Sequence, residues 1–144
     1  MNATTNLAGQ LRVGTDLVHV PEVTASIDRF GHRYLARVYT DAELATCRTA
    51  SEGWASERLA ARFAAREAVI KVLRPQEGTS YRDIEVGHDR SGAPEVHLTG
   101  AALRRAAELG LTDGSVSLSH DGSYAMAVYA AVLTLPTTPR EESL

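Results

Sequence analysis

Cysteine is almost absent from this chain, which has a single cysteine, Cys47, in 144 residues. A disulfide needs two thiols, and so does a metal or redox site of the CxxC kind, so neither can be built within the chain. The chain nevertheless has the length of one ordinary domain, which can bury a hydrophobic core without covalent crosslinks.

Positive charge is not in excess either. The 15 lysines and arginines stand against 18 aspartates and glutamates, which gives a net charge of -3. Proteins that hold nucleic acid by bulk electrostatics usually have a clearly basic domain or face, so the composition disfavours that class. The hydrophobic share of 44% and the charged share of 23% are typical of a soluble globular domain.

Long apolar runs are missing as well. No stretch approaches the roughly 20 apolar residues of a membrane span, and the first ten residues, MNATTNLAGQ, lack the charged and apolar regions of a signal peptide. We therefore expect a cytoplasmic protein. The polar ends predict a flexible N-terminus over 1–10, one domain over 11–135 and a flexible tail over 136–144.

The pattern of apolar residues and of capping residues predicts alternating strands and helices. The longest predicted helix, 56–73, is rich in Ala, Arg, Glu, Leu and Lys, and Pro75 follows it. Hairpins rather than βαβ crossovers join the strands, which predicts an α+β fold with a largely antiparallel sheet. The other predicted elements are strands at 11–18, 82–89, 94–98, 115–120 and 123–133, and helices at 21–30, after Thr40 and at 101–109.

Two local signals refine this prediction. Thr40 and Glu43 have the spacing of a capping box, in which the threonine caps a helix and the glutamate three residues later reaches back. Asp121-Gly122 predicts a two-residue hairpin turn in which both residues adopt a positive φ.

The predicted long helix carries Phe63, Glu67 and Lys71 at successive i,i+4 positions, on one helix face. A surface ion pair between Glu67 and Lys71 would by itself explain that spacing. Asp16 lies in an apolar strand, where an acid must be exposed at the strand end or find a partner. It could be a turn or capping residue, or it could converge with Glu67 on a hard cation, since Mg²⁺ typically takes one or two protein carboxylates.

Ser119 and His120 end a predicted strand just before the hairpin turn. An imidazole there could donate to a phosphate, although hairpin ends often carry polar residues for no functional reason. The sequence contains no Walker loop, GxGxxG fingerprint, GxSxG elbow or HExxH helix, which excludes the enzyme classes that depend on them.

Several segments, in register over roughly residues 12–133, resemble motifs of the holo-acyl carrier protein synthase group of phosphopantetheinyl transferases. The match begins at Gly14-Thr15-Asp16 and ends at Ser117-Leu118-Ser119-His120. Between them lie Arg29-Phe30-Gly31, Tyr39-Thr40-Asp41-Ala42-Glu43-Leu44, the run RFAAREAVIK at 62–71, and Arg82-Asp83-Ile84-Glu85-Val86.

This resemblance implies a phosphopantetheinyl transferase fold with a long central helix, assembled as a homotrimer with its active sites at subunit boundaries. The implied reaction moves 4'-phosphopantetheine from coenzyme A to a serine of an apo acyl carrier protein and releases 3',5'-ADP. The implied cofactor is Mg²⁺, held by Asp16 and Glu67, and the implied catalytic residues are these two and Lys71. The implied coenzyme A contacts are Arg62, Arg66 and Lys71, with Ser119 and His120 from the neighbouring subunit.

This sequence departs from the family pattern at several positions. Arg66 replaces the usual lysine and keeps the charge. Glu22 stands where an arginine commonly docks the acidic carrier, which it would repel. The loop after Lys71 lacks the usual glycines. The nearby Arg29, Arg33 and Arg37 still predict carrier docking, with the carrier of either fatty acid or polyketide biosynthesis open. The departures at Glu22 and in the loop would fit a paralogue that serves a dedicated polyketide or similar carrier.

Two other classes of protein remain open from the residues. A metal-dependent nucleotide diphosphate hydrolase could use the same carboxylates and lysine, but it would position a water instead of a protein serine. A non-catalytic module that oligomerises through its hairpins would not need Glu67. Product analysis with and without a carrier protein separates these classes.

Overall fold

The computed structural model of the chain describes residues 9–75 and 78–134. The predicted tail at 136–144 and the first eight residues of the predicted N-terminal segment lie outside this part of the chain. The elements are β1 (Gln10–His19), α1 (Val20–Phe30), α2 (His32–Val38), α3 (Asp41–Cys47), α4 (Ser56–Leu73), a 3₁₀ turn (Tyr81–Asp83), β2 (Ile84–His88), β3 (Pro94–Leu98), α5 (Gly100–Glu108), β4 (Leu111–Asp121) and β5 (Tyr124–Leu133).

Most of the predicted elements are present with bounds close to those expected. Helix α4 spans the predicted 18 residues and is the longest helix in the described ranges. Helix α2 was not predicted. It follows α1 after a single residue, Gly31, whose positive φ of 55° ends α1, and its seven residues are too few to display a full helical repeat. None of the described helices has the length and hydropathy needed to cross a membrane.

The strands form two antiparallel sheets, as the α+β prediction requires. One sheet has the order β1-β5-β4, and the other is the β2-β3 hairpin. In the larger sheet Ala127 of β5 pairs with Asp16 on one side and with Leu118 on the other. The end of β4 that carries Ser119 and His120 therefore lies two strands away from Asp16, at about the same level of the sheet.

The turn between β4 and β5 is one residue later than predicted. Asp121 pairs with Tyr124, so the two loop residues are Gly122 and Ser123. In this turn only Gly122 has a positive φ, of 56°. The prediction that Asp121 also adopts a positive φ is wrong, because one glycine at the first loop position is sufficient for this connection.

Helix α4 packs closely on one face of the larger sheet, and small residues make this possible. A Cβ atom on Gly14 would overlap the backbone carbonyl oxygen of Ala68 and would lie 2.9 Å from its carbonyl carbon. Buried alanines line α4 at this contact, at positions 60, 61, 64, 65 and 68. The close approach brings the C-terminal half of β1, with Asp16, against the C-terminal half of α4.

The opposite face of this sheet is apolar and uncovered in the single chain. Its large hydrophobic side chains are between 39% and 66% exposed, far more than the core residues on the helix side. We call this surface the open sheet face. It consists of Leu11, Val13, Leu17, Tyr124, Met126 and Val132.

Candidate active site

Strand β1 and helix α4 bring Asp16 and Lys71 together, although 55 residues separate them in sequence. The Nζ atom of Lys71 donates to Oδ1 of Asp16 at 3.3 Å and to the carbonyl oxygen of Thr15 at 2.7 Å. The Lys71 side chain is 53% exposed, so a ligand from solvent can reach its ammonium group. Exposed ion pairs contribute at most about 1 kcal/mol to stability. This contact therefore adds little to the stability of the fold.

Glu67 lies one helical turn before Lys71, which corresponds to a rise of about 6 Å along α4. Its carboxylate lies close enough to the phenol of Tyr81 for its negative charge to act on that group. Burial first, and then the negative charge of Glu67, raise the pKa of Tyr81 above its ordinary value. The phenol of Tyr81 therefore keeps its proton at neutral pH.

The predicted row of Phe63, Glu67 and Lys71 thus has two sets of neighbours. Tyr81 covers the first part of the row, since its ring lies 5.9 Å from that of Phe63, centroid to centroid. Asp16 meets the last part of the row at Lys71. Asp16 therefore contacts the residue that lies one helical turn beyond Glu67 on α4.

The chemistry of Asp16 and Glu67 suits a two-carboxylate metal site. The described residues contain no group of three or more His, Cys, Asp or Glu side chains that could hold a metal ion. Mg²⁺ usually takes one or two protein carboxylates and completes its octahedron with substrate phosphates and water. The carboxylates of Asp16 and Glu67 have the hard oxygen donors that such a site uses, and the ammonium of Lys71 would place a positive charge beside a bound phosphate.

Arg66, by contrast, lies in the protein interior and is 0% exposed. Its guanidinium group forms an ion pair with Glu43 and packs 5.2 Å from the centroid of the Tyr39 ring. It also donates to the carbonyl oxygens of Tyr81 at 3.0 Å and of Arg62 at 3.3 Å. Arg66 therefore has a structural role, and its buried guanidinium is not open to the expected contact with coenzyme A phosphates.

Glu43, the partner of Arg66, completes the predicted capping box and also bonds to strand β2. Its Oε1 atom accepts from the backbone N–H of Thr40 at 2.9 Å, and its own N–H donates to the Thr40 hydroxyl at 3.3 Å. Its Oε2 atom accepts from the N–H of Val86 at 3.1 Å. The cap was predictable from spacing, but the link to Arg66 was not, because 23 residues separate the two side chains.

A cavity of about 560 Å³ lies beside the N-terminal half of α4. Arg62 is 5% exposed there, and its Nε atom is buried without a hydrogen-bond partner in the described ranges. Two arginines and two histidines line the cavity against one carboxylate, so an anionic group suits it. These five residues are Arg58, Arg62, His88, His120 and Glu57, and Ser119 also lines the cavity.

The cavity brings together three of the predicted coenzyme A contacts within one chain. Arg62 donates to the Thr46 hydroxyl at 3.3 Å, and Ser119 and His120 border the same space. The family resemblance implies instead that Ser119 and His120 complete the site of a neighbouring subunit. Arg62 and Lys71 are nine residues apart on α4, which places them half a turn apart around the helix and about 13 Å apart along it.

A second cavity of about 460 Å³ lies beside Tyr81, between α1, α2 and α4. Its walls are mostly apolar and aromatic, with Phe30, Phe63 and Tyr81 among them. Arg33 and Arg37, two of the three arginines expected to dock a carrier, also line it. The expected docking surface thus adjoins Phe63, one helical turn before Glu67 on α4.

Comparison with known proteins gives consistent matches over most of the chain. A family model for the 4'-phosphopantetheinyl transferase superfamily matches residues 12–129. The holo-[acyl-carrier-protein] synthase of Gloeobacter violaceus is 43% identical over 130 residues, which cover 88% of this chain and 98% of that protein.

Solved structures give the same result for the fold. A complex of the Chronobacterium ammoniagenes ACPS with CoA has a TM-score of 0.74 and 30% sequence identity, and the match covers 88% of this chain and 99% of that one. The holo-[acyl-carrier-protein] synthase of Helicobacter pylori, in complex with coenzyme A, has a TM-score of 0.71 and 26% identity, with coverage of 83% and 99%.

The buried ion pair predicts a specific loss of stability. Glu43→Gln removes the charge partner of a fully buried arginine, and we expect it to lower the free energy of unfolding by about 3 kcal/mol. Urea unfolding at fixed protein concentration measures this change. Asp41→Asn is the matched control, since Asp41 contacts Arg82 at 3.5 Å with a side chain that is 97% exposed, and it should be indistinguishable from wild type. Equal effects of the two substitutions would contradict the structural role of Glu43.

Proposed function

The chain belongs to the 4'-phosphopantetheinyl transferase superfamily and is an enzyme of the holo-[acyl-carrier-protein] synthase type, and from this premise we propose the reaction that it catalyses. The enzyme transfers the 4'-phosphopantetheine group of coenzyme A to a serine hydroxyl of an apo acyl carrier protein. The serine oxygen forms a bond to the phosphorus that carries pantetheine, and the bond from that phosphorus to the leaving 3',5'-ADP breaks.

The contact between Lys71 and Asp16, one turn from Glu67, carries this proposal. It combines an accessible positive charge with two carboxylates, which is the set of groups that phosphoryl transfer requires. In such reactions the protein contributes positioning and neutralisation of charge rather than covalent chemistry. Similarity to two synthases solved with coenzyme A supports the choice of co-substrate.

In the proposed site, Asp16 and Glu67 would hold Mg²⁺. When bound, the metal supplies positive charge that offsets the charge developing on the phosphate oxygens. Lys71 orients the pyrophosphate from the same side of α4. Glu67 is the candidate to accept the proton of the carrier serine, directly or through water.

We also propose that each active site lies between two subunits of a homotrimer. Lys71 and Arg62 project from opposite sides of α4, so one coenzyme A cannot easily contact both within a single chain. If the cavity of Arg62, Ser119 and His120 faces Lys71 of the next subunit, both ends of the coenzyme have cationic partners. The open sheet face provides an apolar surface that assembly would bury.

The cavity beside Tyr81 is the proposed docking surface for the carrier. Acyl carrier proteins are acidic, as the family resemblance implies, and Arg33 and Arg37 offer complementary charge next to an apolar pocket. Glu22 is exposed on α1 and would disfavour a carrier whose acidic surface extends that far. A dedicated polyketide carrier with less negative charge at this point is the partner that we propose.

The transfer reaction predicts a defined change in the mass of the carrier. With coenzyme A and Mg²⁺, the wild-type enzyme should add one phosphopantetheine to an apo carrier, as measured by intact-mass spectrometry. Asp16→Asn and Glu67→Gln should each lower the initial rate by about 100-fold or more, since each removes a charge that acts at the reacting phosphate. Glu108→Gln, on the exposed surface of α5, is the matched control and should keep the wild-type rate.

Two outcomes would overturn the transfer proposal. The first is cleavage of coenzyme A at the same rate without a carrier, which would indicate the diphosphate hydrolase instead. The second is an undiminished transfer rate in Glu67→Gln, which would contradict the proposed role of Glu67 in the site. The rates at which the enzyme modifies a polyketide carrier and a fatty-acid carrier test the proposed partner. Equal or faster modification of the fatty-acid carrier would contradict the choice of a polyketide carrier and would leave the transfer reaction unaffected.

The shared active site predicts complementation between inactive subunits. Glu67→Gln and His120→Ala damage opposite halves of the proposed site, and each should be inactive as a pure trimer. Subunits mixed at equal amounts and reassembled should regain about a quarter of the wild-type activity, because random assembly then pairs an intact Glu67 with an intact His120 at one site in four. Unmixed samples taken through the same procedure are the control.

No recovery in the mixture, with a trimeric mass by light scattering, would mean that Glu67 and His120 act within one chain. A fully active monomer would contradict the trimer itself. Val13→Glu, on the open sheet face, should reduce the native mass, whereas Leu103→Glu, on α5 and 53% exposed, should not.

A further inference from the structure

The chain leaves α4 through Arg74, in a backbone conformation that favours glycine. Arg74 caps the helix with φ 46° and ψ 56°, in the left-handed region, and its N–H donates to the carbonyl oxygen of Ile70 at 2.8 Å. A residue with a side chain adopts this conformation at an energetic cost that glycine avoids. The family pattern has glycines in this loop, so the path of the backbone does not explain why an arginine stands here.

Two other arginines reach the same helix end from different elements. Arg12, on β1, donates from Nη1 to the carbonyl oxygen of Val72 at 3.0 Å. Arg105, on α5, donates from Nε to the carbonyl oxygen of Leu73 at 2.9 Å and from Nη2 to that of Arg74 at 3.2 Å. Two guanidinium groups thus bind three consecutive carbonyl groups, and they lie together where the side chain of Arg74 begins.

The negative charge described at this helix end is too small to balance the arginines. A helix C-terminus carries roughly half a negative charge, and Glu108 adds one carboxylate, 3.3 Å from Arg105 and 66% exposed. The three guanidinium groups therefore leave an excess of roughly one and a half positive charges in the described ranges. Burial first, and then the charges of Arg74 and Arg105, lower the pKa of Arg12, which is still protonated at neutral pH.

The three side chains also keep hydrogen-bond donors available. Each guanidinium group has five N–H donors in a planar fork, and Arg12 uses one of them, at Val72. Its Nε atom is buried without a hydrogen-bond partner in the described ranges. The fork geometry matches the oxygens of a phosphate, which accept several charge-assisted hydrogen bonds at once. This helix end thus combines the charge and the donors that a phosphate group needs.

We propose that Arg12, Arg74 and Arg105 form a binding site for a phosphate-sized dianion, separate from the coenzyme A site. None of these arginines has a role in the reaction proposed above, so the inference does not depend on that reaction. Arg12 lies four residues before Asp16, which is about 13 Å along β1, and the ammonium group of Lys71 is paired with Asp16. A bound dianion would offset the repulsion among the three guanidinium groups and stabilise the end of α4.

The test is a titration with inorganic phosphate at mildly alkaline pH, followed by the linewidth of the phosphate resonance in phosphorus NMR. Coenzyme A and Mg²⁺ at saturation fill the proposed active site. Wild type should bind phosphate saturably. Arg74→Gln should weaken this binding about tenfold, the effect of losing hydrogen bonds to a charged group, with a Tm close to wild type. Arg104→Gln, at the neighbouring exposed arginine of α5, is the matched control and should bind phosphate like wild type.

Three results of the titration would overturn the proposal. They are the absence of saturable binding to wild type, equal affinities of wild type and Arg74→Gln, and binding to the free enzyme that coenzyme A abolishes. The last result would assign these arginines to the coenzyme A site. Arg12→Gln should also weaken phosphate binding, and any loss of the α4 cap in this variant is separated by titrating at a temperature where all variants are folded.

A crystal structure of the wild-type enzyme with coenzyme A and selenate provides a second measurement. Selenate is a tetrahedral dianion of similar size to phosphate, and anomalous scattering locates its selenium atom. The proposal predicts a peak between the guanidinium groups of Arg12, Arg74 and Arg105. Selenate bound only elsewhere on the protein would overturn it.

Discussion

The buried ion pair between Glu43 and Arg66 determines where the candidate site can form. Charges in a protein interior are costly unless they are paired and fully hydrogen-bonded, and this pair meets that condition. Glu43 also binds the N–H groups of Thr40 and Val86, and Arg66 also binds the carbonyl oxygen of Tyr81. Helices α3 and α4, strand β2 and the 3₁₀ turn are therefore joined at one point, next to Glu67.

A second constraint acts on the opposite side of α4. The absence of a side chain at Gly14 and the row of buried alanines let β1 run against the helix, and this contact sets Asp16 beside Lys71. The site residues thus lie between two rigid contacts. These contacts position them, so their side chains need few further interactions to stay in place. Lys71 remains half-exposed because other residues of α4 pack into the protein interior. The arrangement suits a reaction that depends on positioning more than on covalent help.

Local signals in the sequence predict much of this structure. The bounds of α4, the α3 capping box and the two hairpins follow from composition and spacing, and the order of the motifs predicts the family correctly. Short or non-local features were missed. Helix α2 is too short to show a repeat, and the hairpin turn lies one residue later than the Asp-Gly signal indicates. Arg66 resembles a solvated helix residue in sequence, because its buried partner is 23 residues away, and Tyr81 gives no signal before folding brings it against Phe63.

The central claim is that Asp16 and Glu67 hold one divalent ion against the pyrophosphate of coenzyme A. The most direct measurement is a crystal structure of the enzyme with coenzyme A and Mn²⁺, in which anomalous scattering locates the metal. The account predicts one metal peak bound by both carboxylates and by phosphate oxygens, with Lys71 on the same pyrophosphate. A metal bound elsewhere, or coenzyme A bound with its pyrophosphate away from both carboxylates, would contradict it.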